Sequence, residues 1–266
     1  MTALSDALAK AKADGRAALI GYLPVGYPSV DVSIDAMRAL VDNGVDVVEV
    51  GVPYSDPVMD GPTIQQATEQ AVRAGVGVGD ALRAVAAVAA AGAAAVTMGY
   101  WNQVERYGVD RYAADLAAAG GSGAITPDLI PDEAAPWLAA TDAAGLDRIF
   151  LVAPSSTDAR IVSTVAASRG FVYASAVMGV TGARDSVSGA AATLVGRVRA
   201  LAPDLPVCVG LGVSTGAQAA EIAAFADGVI VGSALVRRLL DSPDAGGVAA
   251  LGVLAGELAA GVRGAS

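Results

Sequence analysis

Eight short apolar stretches, each followed by a segment of helical length, predict a (β/α)8 barrel. Three observations carry that prediction. The strand candidates are apolar almost without interruption, as strands are when helices cover both faces of a parallel sheet. Strand and alanine-rich helix alternate along the whole chain. The 266 residues, 54% of them hydrophobic, suffice for one large α/β domain. Residues 1–266 are therefore read as one barrel domain with an extra N-terminal helix and additional helices. An open doubly wound sheet is the competing architecture, and it tolerates the same extra helices.

The elements follow in order. Leu4 and Leu8 share one face of an N-terminal amphipathic helix suited to the bottom or edge of the domain. The first strand covers 17–23 and ends at Pro24 and Gly26. A helix over 30–41 is capped by Ser29. The second strand covers 45–50. After a long loop come helices over 64–73 and 79–90, separated by Gly75. The third strand is 94–98, and two helical pieces over 103–118 meet at Gly108. The fourth strand is 123–126, followed by a helix over 131–144 bounded by Pro131 and Gly145. The fifth strand is 148–152, and Thr157 caps a helix reaching Ser168. The sixth strand is 171–175. A Gly/Ser-rich loop over 176–189 leads to a helix over 190–200. The last strands are 207–209 and 228–231, before a final helical region reaching Val262.

Composition narrows the function. A net charge of −10 argues against wholesale wrapping of nucleic acid, while leaving room for a local anion pocket. One cysteine excludes an internal disulfide framework and fits a reducing, cytoplasmic setting. No secretory or membrane segment is evident, and the long apolar run over 84–98 reads as a buried helix entering a strand. The chain has no histidine, so Ser-His-Asp triads, Cys-His pairs and histidine zinc sites are all excluded. Acid–base work falls to Asp, Glu, Lys, Tyr or the lone Cys208, which reads as an inert core residue.

The most informative stretch is 46–61, D-V-V-E-V-G-V-P-Y-S-D-P-V-M-D-G. Glu49 interrupts a valine run one residue before the end of the second strand. If it faces the barrel interior, it is a carboxylate at the mouth of an apolar tube, and burial raises its pKa toward neutrality. The alternative is a structural glutamate tied to backbone N–H groups or to a Lys or Arg. Pro53 and Pro57 stiffen the following loop and give Asp56 and Asp60 defined positions, although Asp-Pro and Asp-Gly are also ordinary turn formers.

Glycines recur after the late strands, in G-V-T-G (179–182), G-L-G-V-S (210–214) and V-G-S-A (231–234). Backbone N–H groups there, with a short helix starting near Ser233, form the phosphate cradle usual in such barrels. Gly210, Gly212 and Gly216 do not have dinucleotide-binding spacing, and no GK[ST] is present. Tyr22, Tyr100, Trp101 and Tyr173 lie at strand ends, where they suit a flat apolar ligand. Tyr27, Tyr54 and Tyr107 read as loop or surface residues. Asp128 can cap the next helix or reach the pocket.

The run V-E-V-G-V-P-Y-S-D-P-V-M-D-G-P-T-I-Q (48–65) strongly resembles the signature of tryptophan synthase alpha subunits. So do L-P-V-G-Y-P (23–28), Y-A-S-A-V-M-G-V-T-G (173–182), G-L-G-V-S and V-G-S-A, in the same order over nearly the whole chain. The resemblance implies a TIM barrel that cleaves indole-3-glycerol phosphate to indole and glyceraldehyde 3-phosphate. It places the catalytic carboxylates on Glu49 and Asp60 and the pocket tyrosine on Tyr173. The phosphate-binding positions fall on Gly182, Gly212, Gly232 and Ser233, with Thr181 and Tyr100 also among the substrate-binding residues. Tyr22 and Leu211 stand where phenylalanine is common, and Met98 where leucine is common. The resemblance further implies a pyridoxal-phosphate beta subunit, an α2β2 heterotetramer and transfer of indole to that partner. Pro53, Asp56 and Pro57 would face the partner, and the loop over 179–189, with Arg184 and Asp185, would close. No cofactor is expected in this chain; the pyridoxal phosphate belongs to the partner.

Two other readings stay open on the residues. One is another phosphate-binding barrel enzyme. A Schiff-base aldolase counts against itself, because Lys10 and Lys12 lie outside the barrel. The other is a non-catalytic subunit that activates a partner.

Overall fold

The computed structural model describes residues 1–175, 184–210 and 212–264, with backbone alone over 184–188. Its strands are β1 (Ala18–Pro24), β2 (Val47–Gly51), β3 (Ala94–Met98), β4 (Gly123–Ile125), β5 (Asp147–Ile149), β6 (Leu151–Val152), β7 (Val172–Ser175), β8 (Val207–Gly210) and β9 (Gly228–Val231). All pair in parallel, in the order β5-β4-β3-β2-β1-β9-β8-β7-β6. The segments β5 and β6 are two halves of one strand, broken at Phe150. The first half pairs with β4 and the second with β7, which closes the barrel. The fold is the (β/α)8 barrel predicted, not an open sheet.

Helices α1 (Ala3–Ala13), α2 (Val30–Asp42), α3 (Pro62–Arg73), α4 (Val78–Ala90), α5 (Trp101–Tyr107), α6 (Val109–Ala118), α7 (Ala135–Ala144), α8 (Asp158–Ala167), α9 (Arg184–Leu201), α10 (Gly216–Ala223), α11 (Ser233–Asp241) and α12 (Ala245–Arg263) surround it. Their ends are chemically marked. Ser29 Oγ accepts from Val32 N at 3.2 Å, and Thr157 Oγ1 from Arg160 N at 3.2 Å. Gly145 ends α7 with φ 68°, a left-handed conformation that costs glycine little.

Side chains on the strands alternate between two apolar compartments. Ala18, Ile20, Val47, Val96, Ile125, Ile149, Phe171, Cys208 and Ile230 fill the barrel interior. Leu19, Leu23, Val48, Val50 and Val209 face the helices. Leu4, Leu8 and Ala11 of α1 join the interior set, so α1 plugs the end where the strands begin. Among the described residues one helix, α12, is long and apolar enough to cross a membrane by length and composition. Here it lies on α2, α10 and α11, burying Leu251, Leu254, Leu258 and Val262.

Two expectations change and one element is added. The helix expected from 190 begins at Arg184, because Gly189, read as a loop residue, sits inside it and meets nothing that excludes it. Helix α10, given no bounds from the sequence, lies between β8 and β9, where Thr215 caps it by accepting from Gln218 N at 3.3 Å. Tyr27, read as a loop or surface residue, lies in the loop after β1 but is buried, whereas Tyr54 and Tyr107 are half-buried.

Candidate active site

The period of two along β2 sends Val47, Glu49 and Gly51 to the barrel interior. Glu49 is paired in register with Tyr22 on β1 and Val96 on β3. Its carboxyl group is fully buried, and neither oxygen has a hydrogen-bond partner among the described residues. The structural alternative, a glutamate tied to backbone or to a lysine or arginine, is therefore not what the fold builds. Burial raises the Glu49 pKa from 4.5 to about 8.

Beyond Glu49 the barrel opens into a cavity of about 330 Å³ at the carboxyl ends of the strands. Asp60 borders it, carried there by the loop after β2, and burial raises its pKa from 3.8 to about 6. The two carboxyl groups thus titrate on opposite sides of neutrality. Tyr22 and Tyr173 also border the cavity; burial holds both phenols protonated, and the nearby Glu49 and Asp60 charges reinforce this. Their rings need space that glycine leaves. A Cβ on Gly51 would lie 2.5 Å from Tyr22 Oη, and one on Gly210 would lie 2.4 Å from Tyr173 Oη.

Met98, Leu151, Ile64 and Ile230 supply an apolar wall. Across the cavity lie Gly212, with φ 64°, Gly232, and Ser233 at the start of α11. A helix N-terminus facing a cavity favours an anion, since its first N–H groups have no partner within the helix. Among the described residues no group of three or more His, Cys, Asp or Glu is arranged to hold a metal ion.

Of the residues singled out in the sequence, Glu49, Asp60, Tyr22, Met98, Tyr173, Gly212, Gly232 and Ser233 meet in this one cavity. Thr181, Gly182 and Leu211 lie outside the described residues. Tyr100 is not part of the lining. Its hydroxyl accepts from Met59 N at 2.9 Å, and its ring stacks on Tyr54 with centroids 4.9 Å apart. Asp128 neither caps the following helix nor reaches the cavity; it accepts from Trp101 N at 2.8 Å, at the start of α5. Of the three loop residues expected to face a partner, Asp56 is exposed and bonded to Ser55, Pro57 is half-buried and Pro53 is buried. Ser175 and Ile230 also line the cavity and were missed. Each lies two residues from a residue already singled out, Tyr173 and Gly232, so strand alternation alone could have found them.

The family model for the tryptophan synthase alpha chain matches residues 8–262. The chain belongs to this family. It is 62% identical to the tryptophan synthase alpha chain of Thermobifida fusca, over the full length of both. It is 66% identical to that of Mycobacterium marinum, covering 95% of this chain and 91% of the relative. A solved structure of Mycobacterium tuberculosis tryptophan synthase superposes with a TM-score of 0.91, at 61% identity and 98% coverage of each chain. The tryptophan synthase alpha subunit of Legionella pneumophila gives a TM-score of 0.90 at 30% identity, covering 99% of each. As a member of the alpha-chain family, the protein is a carbon–carbon lyase acting on indole-3-glycerol phosphate.

Proposed function

We propose that one barrel domain, residues 1–266, performs this cleavage with Glu49 as the acid and Asp60 as the stabilising carboxylate. The observation that carries the reading is an unpartnered buried Glu49 facing the same cavity as Asp60 and the start of α11.

The substrate's indole lies along Met98, Leu151 and Ile64, and its phosphate meets Gly212, Gly232 and Ser233. The family resemblance assigns Gly182 to phosphate binding as well, Thr181 to substrate binding and Leu211 to indole contact. At neutral pH Glu49 carries a proton and Asp60 does not, consistent with pKa values of about 8 and about 6. Glu49 protonates indole C3, and the ring becomes a cation with its charge centred at the N–H. Asp60 stabilises that charge. The bond from C3 to the glycerol chain then breaks, and its electron pair returns to the ring. The adjacent hydroxyl loses its proton to the Glu49 carboxylate, which regenerates the acid and leaves the aldehyde of glyceraldehyde 3-phosphate. Atoms and charge balance with no cofactor in this chain.

We further propose that the product indole passes to a pyridoxal-phosphate beta subunit in an α2β2 heterotetramer. The loop bearing Pro53, Asp56 and Pro57 also presents Val58, 83% exposed, and Met59, 52% exposed. Apolar side chains held outward by a stiffened loop suit a protein partner. The cytoplasm is the proposed compartment, supported by a single, fully buried cysteine.

The test is indole release by the purified chain, with and without a beta subunit. Glu49→Gln should lower kcat by about 10³-fold or more, and Asp60→Asn by about 10²-fold. Native rates from Glu49→Gln would refute the assignment.

A further inference from the structure

The loop that carries Asp60 is fastened at both ends by the first turn of a single helix, α5. At its start, Gln103 Nε2 donates to Pro53 O at 2.7 Å. At its end, Met59 N donates to Tyr100 Oη at 2.9 Å, one residue before Asp60. The two fasteners are themselves joined, since Tyr100 N donates to Gln103 Oε1 at 3.2 Å. Tyr54 stacks on the Tyr100 ring at 4.9 Å and 26° between planes. Between these ends the loop is open to solvent at Ser55, Asp56 and Val58. A third tie comes from α3, where Gln65 Nε2 donates to Asp60 O at 2.9 Å.

We infer that Tyr100 and Gln103 form a clamp that positions Asp60 for the reaction while leaving the middle of its loop free to be covered. Neither residue touches the cavity, so each acts through the loop. The inference rests on the role of Asp60 proposed above.

The Tyr100 hydroxyl accepts the Met59 N–H, and its own proton meets no acceptor among the described residues. Asp60 and Asp128 are the nearby carboxylates whose charges act on this phenol. Tyr100 thus fastens the backbone immediately before Asp60.

The test uses the full chain with its beta subunit and four proteins: native, Tyr100→Phe, Asp60→Asn and the double variant. Tyr100→Phe keeps the stacking ring and removes only the hydroxyl. It should lower kcat about tenfold while changing KM less. Its unfolding midpoint should stay near native. Placed on Asp60→Asn, it should cost almost nothing more, because the group it positions is already gone. Gln103→Met, which preserves length without the amide, should show the same kcat-dominated loss and the same non-additivity. An equal cost of Tyr100→Phe with and without Asp60 would overturn the clamp, as would a native kcat for Tyr100→Phe. A native rate for Asp60→Asn alone would instead overturn the role of Asp60, and the clamp with it.

Discussion

The two ends of the barrel treat carboxylates withdrawn from solvent in opposite ways. Where the strands begin, buried Asp147 and half-buried Asp46 and Asp227 all have partners. Asp147, 3% exposed, accepts from the hydroxyls of Thr2 and Ser5 and so fastens α1 under the barrel. Asp46 accepts from Arg16 at 2.7 and 2.9 Å and from Leu19 N at 2.8 Å. Asp227 accepts from Arg199 at 3.1 Å and from Val207 N at 2.9 Å. Where the strands end, Glu49 is more deeply buried than any of these and has no partner among the described residues. One end therefore uses carboxylates to fix chain geometry. The other carries the desolvation cost of a free acid, which is what proton transfer near neutral pH requires.

That contrast predicts stability effects of opposite sign. The larger belongs to Glu49. Its folded pKa of about 8 lies above the ordinary 4.5. Between those values the folded chain holds a proton that the unfolded chain has released, so stability falls as pH rises through this window. Glu49→Gln abolishes the titration. Its stability advantage over the native chain should be small below pH 4.5, grow through the window, and level off above about 8. The plateau should be of the order of 5 kcal/mol. Urea unfolding of both proteins at acidic and alkaline ends of the window measures it, and a pH-independent difference would break the contrast.

The smaller effect belongs to Asp147. Asp147→Ala leaves the Thr2 and Ser5 hydroxyls without their acceptor at a buried junction. It should destabilise the chain by about 2–3 kcal/mol. Indole release at a temperature well below unfolding should be nearly unchanged. Unfolding midpoints and kcat measured on the same preparation check both halves. A large loss of kcat would show that the two ends are not separable.

Much of this division was legible in the sequence, because it follows from strand periodicity. Val47, Glu49 and Gly51 must share a face, and a carboxylate amid valines at a strand end is conspicuous. Pro53 and Pro57 announced a stiff loop. What escaped depends on contacts between distant segments. Nothing local marks Tyr27 as buried, or Asp128 as the acceptor for Trp101 N rather than a pocket group. Asp147 passed unnoticed because its partners lie 142 and 145 residues earlier in the chain. The start of α9 was misplaced because glycine and serine weigh toward a loop, whereas the fold supplies enough to carry Gly189 within a helix. Tyr100 was read as a pocket wall from its strand-end position; only the hydrogen bond to Met59 shows it holding the loop.

The most direct test is the titration of Glu49 itself. Infrared difference spectra, native minus Glu49→Gln, isolate the carbonyl stretch of its protonated carboxyl group. That band should be present at neutral pH and disappear with a midpoint near 8. Loss of the band with a midpoint near the ordinary 4.5 would contradict a buried, unpartnered acid at the centre of this site.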